Sequence, residues 1–469
     1  MSEFTPYLVV VWLVVMLGVF PSFTTHRAIL VVVLGGTLFL PELRQEVALG
    51  PFHFSKYHAI NYAALLGALL YDSERLFSGA PRWTDLPMVV WCLCPLPSVL
   101  TNAPPPDGSP AIRDALSQTW GQTVSFGIPY LLGRVYFSDT AAVRDLALGI
   151  AFAAAVYAPL CLYEARMSPQ LHAKVYGYSQ HSFAQTIRFG GYRPMVFLPH
   201  GLAVGMFMVS AALIATWMWW TGTLRPVIEE GEETGLQSYI PLLLVPIAIL
   251  LKSTGALVLG FGGGLVLWLA SATGARWWLL LLAVTPPVYA AVRTTGAWSG
   301  EALVESVAAN LDSDRAESLD FRLTNENLLV NKALDRPTFG WGGWGRNRVF
   351  DEKSGKDLTV TDGLWIIVLG DRGLVGLVAL GAVLLLPIAR FALLFPPSTW
   401  STRSLAPTAA CAVVLTLWSI DSLMNAMVLP VYLLLAGSLM GFALDASEEP
   451  DEAPRAGELV PAEPDDGRN

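Results

Sequence analysis

The chain has 469 residues, 54% of them hydrophobic and 14% charged, with a formal charge of -9 and a mean hydropathy of +0.50. A soluble domain carries roughly 25% charged residues, so the composition excludes that class and indicates an all-α polytopic membrane protein. Nine carboxylates against Arg455 and Arg468 between Asp445 and Asn469 supply -7 of the charge, which leaves a nearly neutral body with no footprint for a nucleic acid.

In chain order, Phe4 to Phe20 has Glu3 where a signal peptide has basic residues and no small-residue cleavage site behind it, so it reads as an anchor. Apolar runs follow at 28–41, 57–71, 86–101, 119–136, 142–163, 194–221, 238–252, 254–272, 276–292, 363–389, 404–420 and 422–444. Hydropathy thus gives roughly twelve to thirteen transmembrane helices. Cys92, Cys94, Cys161 and Cys411 all fall in apolar runs and read as small core residues. The chain divides into membrane helices over 1–292, one large, partly helical loop over 293–361, membrane helices over 362–444, and a disordered acidic tail over 445–469. No internal repeat of the kind many transporters carry is visible.

Arg276 lies between two spans, and Arg390 with Arg403 flanks a Pro-rich turn, which places both loops in the cytoplasm. Counting helices from there puts the 293–361 loop on the outer face. The same parity sends Tyr163 to His200, the Lys252-Ser253 junction, Arg293 and the Asp421 to Asn425 corner to that side. The acidic stretch after Glu229 and the tail fall inside.

Within the loop, Asp312 to Leu334 reads as a helix that stops before Arg336-Pro337. Arg315, Leu319, Arg322 and Glu326 recur at three- and four-residue steps and share a face. Two guanidiniums one above the other suit a diphosphate, because each offers rigid donors and stays charged. An Arg322-Glu326 surface ion pair is the alternative reading. Next comes FGWGGWGRNR, in which glycines allow close backbone approach. Trp341 and Trp344 either stack on a sugar or sit at the membrane interface, beside Arg346. Asp362 opens the following span, either as a helix cap or as a functional carboxylate. Arg193 and His200 precede a span, as interface anchors or as further polar groups of an outer site. Asp312 and Asp314 are better placed to cap a helix than to hold a metal, and Asp371-Arg372 in LGDRGLVG reads as an internal pair or a kink.

From Asp314 to Gly376 these features, an arginine-bearing helix, RPTFGWGGWGR, a polar residue opening a span and LGDRGLVG, resemble the O-antigen ligase and polymerase superfamily of bacterial envelope glycan assembly. YRPMVFLPHGLAVG (Tyr192 to Gly205) and LLKSTGALVLG (Leu250 to Gly260) are similar to the family's further motifs, and the first half matches as a hydropathy pattern. The resemblance implies a GT-C-like fold in the bacterial cytoplasmic membrane, with the large loop periplasmic. It also implies an undecaprenyl-diphosphate-linked oligosaccharide as substrate and inverting transfer to a hydroxyl without metal or other cofactor, alongside possible polysaccharide-assembly proteins. Arg322 matches the arginine of the family's loop helix. Lys252 stands where the family more often has an arginine beside a serine, and Asp362 where the ligases have a histidine.

The departure at Asp362 turns the expectation toward a polymerase with Arg322 and Asp362 as its catalytic pair. Arg193, His200, Lys252, Arg293, Arg315, Glu326, Trp341, Trp344 and Arg346 are then the expected substrate contacts. A ligase, a lipid-linked glycan flippase and a non-catalytic scaffold are the alternatives.

Overall fold

The computed structural model describes residues 5–43, 47–49, 52–79, 81–105, 108–188, 190–224, 235–310 and 313–448. Of the described residues, 73% are helical and 2% are in strands. Among the described residues five helices, Trp83–Leu100, Thr140–Met167, Gly201–Trp220, Thr254–Thr273 and Leu364–Leu394, are long and apolar enough to cross a membrane. A span of about 20 residues at roughly 1.5 Å rise matches the hydrocarbon thickness. Shorter apolar helices include Thr25–Phe39, Ala406–Asp421 and Pro430–Asp445, of which Ala406–Asp421 packs against Thr140–Met167, Gly201–Trp220, Thr254–Thr273 and Leu364–Leu394. This is the architecture of a membrane-embedded helical protein.

Gly201–Trp220 is apolar on every face and buried almost throughout, as expected of a helix at the centre of a bundle. It packs against Thr140–Met167, Ile240–Leu250, Thr254–Thr273 and Ala406–Asp421. Close approach elsewhere depends on missing side chains. Pro430–Glu448 lies on Ile128–Tyr136 so tightly that a Cβ on Gly437 would stand 1.9 Å from the Tyr130 carbonyl, and one on Gly441 2.4 Å from that of Arg134. The Ser438 hydroxyl donates to the Phe137 carbonyl at 2.8 Å across the same seam. Gly437 and Gly441 form a G-x-x-x-G pattern that permits such contact between apolar helices.

The span that begins near residue 363 is broken beside Asp371-Arg372, where a kink was one of two readings. Within Leu364–Leu394, Gly373 adopts φ 65° and ψ -164°. The backbone groups released there are met by the loop. Leu374 N–H donates to the Pro337 carbonyl at 2.7 Å and Val375 N–H to that of Thr338 at 3.2 Å. In the opposite direction Trp341 N–H donates to the Gly370 carbonyl at 2.8 Å, and Gly342 N–H to that of Asp371 at 3.0 Å. Irregular backbone in an apolar setting is tolerated where protein satisfies it. A Cβ on Gly373 would lie 2.4 Å from the Thr338 oxygen. RPTFGWGG and LGDRG, separate in sequence, are thus two halves of one backbone arrangement, and the Asp371-Arg372 stretch marks a kink.

The loop helix occupies Ser313–Leu334, and a small second core of Leu329, Val330, Ala333, Trp365, Ile366 and Leu369 seats it on the broken helix. The last helix, Pro430–Glu448, continues into the segment expected as the start of the tail. The acidic stretch after Glu229, the tail from residue 449 and the Arg315 side chain lie outside the described residues.

Candidate functional site

The site begins with a buried carboxylate that the sequence reading passed over. Glu164, 1% exposed near the end of Thr140–Met167, accepts four backbone N–H groups: Gln170 at 3.0 Å, Leu171 at 2.8 Å, Met195 at 2.9 Å and Val196 at 2.7 Å. Lys56 Nζ adds a bond to the Phe197 carbonyl at 2.7 Å, and the Tyr157 hydroxyl accepts from Phe197 N–H at 2.9 Å. These bonds fix the Pro194–Leu198 turn, and so the origin of the Arg193 side chain beside it. Charge-assisted bonds of this kind contribute about 1.5 to 3 kcal/mol each when both partners are buried.

Arg193 follows a two-stranded hairpin, Ile187–Arg188 paired with Gly191–Tyr192. Its stem crosses the start of the central helix, where a Cβ on Gly201 would be 2.4 Å from the arginine Cδ. Its Nη2 donates to the Lys252 carbonyl at 3.4 Å, and its Nε is buried without an acceptor. Lys252 sits between two helices with φ 57°. This left-handed conformation is uncommon for a side chain other than glycine. Lys252 Nζ reaches back to the Arg188 carbonyl at 3.2 Å, over Gly191. Burial, with Arg188 and Arg322 close by, pulls the Arg193 guanidinium down to about 10, which leaves it charged at neutral pH.

Arg322 comes to the same neighbourhood from the loop helix. Its Nε lies 3.7 Å from Asp362 Oδ2, with the two side chains 33% and 41% exposed. Asp362 is not a helix cap: Gly363 holds that position, and no side chain bonds the first turn. Gly363 rests against the Leu423 carbonyl, and Leu364 N–H donates to the Ser422 carbonyl at 2.8 Å. The Asp421 to Asn425 corner therefore sets where Asp362 stands. Asp421, held by Asn425 at 2.9 Å, is itself within electrostatic reach of Arg322. Arg322 thus stands within electrostatic reach of Arg193 on one side and of Asp362 and Asp421 on the other, with Arg188 also close to Arg193, a gathering of guanidiniums suited to an oxyanion.

Several expected contacts serve other purposes. Glu326 does not pair with Arg322; it turns inward to Arg293 at 3.1 Å, the Tyr289 hydroxyl at 2.7 Å and the Trp365 indole at 3.3 Å. Burial raises its carboxyl above the usual range, against those stabilising partners. Arg293, 3% exposed, also donates to the Trp298, Ser299 and Leu323 carbonyls. The pair is a brace that fastens the loop helix, not a substrate contact. His200 caps the central helix, accepting from Leu202 N–H at 3.0 Å, and its Nε2 faces Gln185 Oε1 at 3.3 Å. Burial first, then His181, Arg193, Arg188 and Arg322, lowers it to about 4. It is a neutral imidazole at working pH, not a cation for a diphosphate.

Trp341, Trp344 and Arg346 are not beside Arg322. They lie toward the other end of the loop helix, near Lys332, which is about 15 Å along the axis at 1.5 Å per residue. Two cations lie over the Trp341 ring, Lys332 Nζ at 3.8 Å and the Arg336 guanidinium at 4.8 Å from its centroid. Trp344, with φ 69°, reaches across to Asp114 at 3.1 Å. Arg188, the other residue missed in sequence, is visible there only as one more basic residue in a short polar segment.

Comparison with protein-family models finds no match, and no curated protein matches the chain.

Proposed function

We propose that this chain is a membrane glycosyltransferase that polymerises undecaprenyl-diphosphate-linked oligosaccharide repeats into an exopolysaccharide or O-antigen-like glycan. In this reading it has twelve to thirteen spans in a GT-C-like arrangement in the bacterial cytoplasmic membrane, and the 293–361 loop faces the periplasm. The observation that carries the proposal is the partly exposed Arg322–Asp362 pair with the Arg193 guanidinium in electrostatic reach of Arg322, Arg193 itself lying against the Lys252 junction.

A contact of 3.7 Å between partly exposed groups is worth no more than about 1 kcal/mol, so a diphosphate opens it readily. Arg322 then transfers to phosphate oxygen, joined by Arg193, whose Nε has no acceptor, and by the Lys252 ammonium. Asp362, released, accepts the proton of the attacking sugar hydroxyl. The bond between the anomeric carbon and the diphosphate oxygen breaks, with its electron pair leaving on the diphosphate. The new bond to the acceptor oxygen forms on the opposite face, so configuration inverts. Fixed cations at the departing charge supply most of the rate, and removing one such group costs on the order of 10²- to 10³-fold.

The test is reconstitution of the purified protein with an undecaprenyl-diphosphate oligosaccharide from its host, with products resolved on a gel. A ladder that is lost in Arg322→Ala and in Asp362→Asn supports the polymerase. A single shifted product identifies a ligase instead, and lipid moved between leaflets without new glycosidic bonds identifies a flippase.

A further inference from the structure

A second cationic feature lies apart from Arg322. Where the glycine-tryptophan loop meets the 101–103 segment there is a cleft of about 440 Å³ whose lining, among the described residues, includes Lys332, Arg336, Arg346 and Arg348 and no carboxylate. Its size falls in the range of small-ligand sites, roughly 300 to 1,000 Å³. Its frame is fixed. Asn102 Nδ2 donates to the Gly340 carbonyl at 3.0 Å, and Arg336 Nη1 to that of Thr101 at 2.8 Å. The Trp341 indole N–H is tied to the Lys332 carbonyl at 2.7 Å, and its ring holds the Lys332 and Arg336 cations in place.

The charge in the cleft is only partly compensated. Asp357 takes Arg348 at 2.7 Å, and Asp371 lies within electrostatic reach of Arg348. Among the described residues no carboxylate pairs with Lys332, Arg336 or Arg346. Arg346 carries the clearest signal, because both its Nη1 and its Nη2 are buried without an acceptor. Buried charged donors left unmet are costly, and a bound oxyanion removes that cost while gaining a bidentate contact. Both faces of the feature are therefore accounted for by one ligand chemistry: an oxyanion that enters the cleft and meets the Arg346 fork, with Lys332 and Arg336 at its sides.

We propose that this cleft binds an oxyanion, carboxylate or phosphate, borne on a saccharide, so that the glycan handled by this protein is an acidic one. The proposal rests on the glycosyltransferase reading and deepens it by naming the substrate class. The loop helix carries Arg322 near one end of the described contacts and Lys332 about 15 Å further along, so one extended oligosaccharide can occupy both places. The unpaired guanidinium selects for acidic units in the chain, while the chemistry takes place at Arg322. An anionic phospholipid headgroup offers the same oxyanion, and the experiment separates the two sources.

The full-length protein in phosphatidylcholine nanodiscs is titrated into a fluorescently labelled hexasaccharide of alternating uronic acid and N-acetylhexosamine. The same sugar with its carboxyls reduced to alcohols serves as the neutral probe, and short-chain phosphatidylglycerol as the lipid competitor. The expected result is that the acidic sugar binds at least about tenfold more tightly than the reduced one. Arg346→Gln and, separately, Lys332→Gln lose most of that difference with unchanged melting midpoints, while Arg322→Gln keeps it. Equal binding of the two sugars, absence of binding, or displacement by phosphatidylglycerol at equal concentration overturns the proposal, as does loss of the difference in Arg322→Gln. Since this readout needs no catalysis, a missing product ladder with retained acidic-sugar binding counts against the polymerase alone. A ladder without such binding counts against the cleft alone.

Discussion

Arg322 and Asp362 were legible in sequence because each sits at a position with a reason to be polar, on a helix face and at the mouth of a span. Their mutual contact was not, since thirty-nine intervening residues leave spacing silent. The obvious local partner, Glu326, is one turn away from Arg322 and belongs to another network. His200 shows the same limit: its place before a helix was readable, its protonation state was not. Its folded pKa is about 4 against an ordinary 6.5, so the unfolded chain binds the extra proton between those values. The neutral imidazole therefore contributes its full stability above about pH 6.5 and loses it as pH falls toward 4, by at most about 3 kcal/mol. A fall in melting midpoint over that window, smaller in His200→Asn, which keeps a capping side chain, is the expected outcome of thermal unfolding at stepped pH.

At the scale of elements, the helices were readable and a kink at Asp371-Arg372 was one of two readings, but what the interruption packs against was not legible. Hydropathy registers an average over a window, so it saw the run from residue 363 as continuous and took no account of Gly373. The break exists because residues 337–342 supply the backbone partners, and no local signal announces a partner thirty residues away. Gly373→Ala meets two obstacles, a positive φ with ψ -164°, a backbone region essentially reserved for glycine and worth about 1 to 3 kcal/mol, and a Cβ 2.4 Å from the Thr338 oxygen. We expect a drop in melting midpoint, with faster proteolysis of the 337–347 loop than in the unaltered protein. A substitution at Gly381, which has open space beside it, leaves both unchanged. Glu164 was missed for a related reason: the apolar run ends just before it, so it looked like a solvated flank. A carboxylate at the end of a membrane helix warrants a search for what it holds. The Gly437-Gly441 pattern was present in the sequence and went unread.

For the whole molecule, the all-helical membrane class followed from composition, and the structure agrees with it at that level. The sequence reading placed Arg193, His200, Lys252, Arg293, Arg315, Arg322, Glu326, Trp341, Trp344, Arg346 and Asp362 in one site. The structure divides them into an Arg322 neighbourhood, a buried Arg293–Glu326 brace and the basic cleft around Arg346, because residues on one loop helix face different neighbours every turn. Orientation is open to a direct measurement. All four cysteines are buried, so single introduced thiols report cleanly. In sealed cells a membrane-impermeant maleimide is expected to label Glu352→Cys, and Ser404→Cys only after permeabilisation. The reverse pattern would invert the topology and count against the proposed periplasmic site.

The interlock between Pro337–Gly342 and the break at Gly373 also bears on the order in which the chain is made. The loop emerges from the ribosome ahead of the helix it completes, so its carbonyls and amides are available when Gly370 to Val375 reach the membrane. The kinked segment then never has to wait in lipid with bare peptide groups. A chimera that exchanges the loop without the helix, or the helix without the loop, would lose that timing as well as the fit, so the two segments should be exchangeable between such proteins only as a pair.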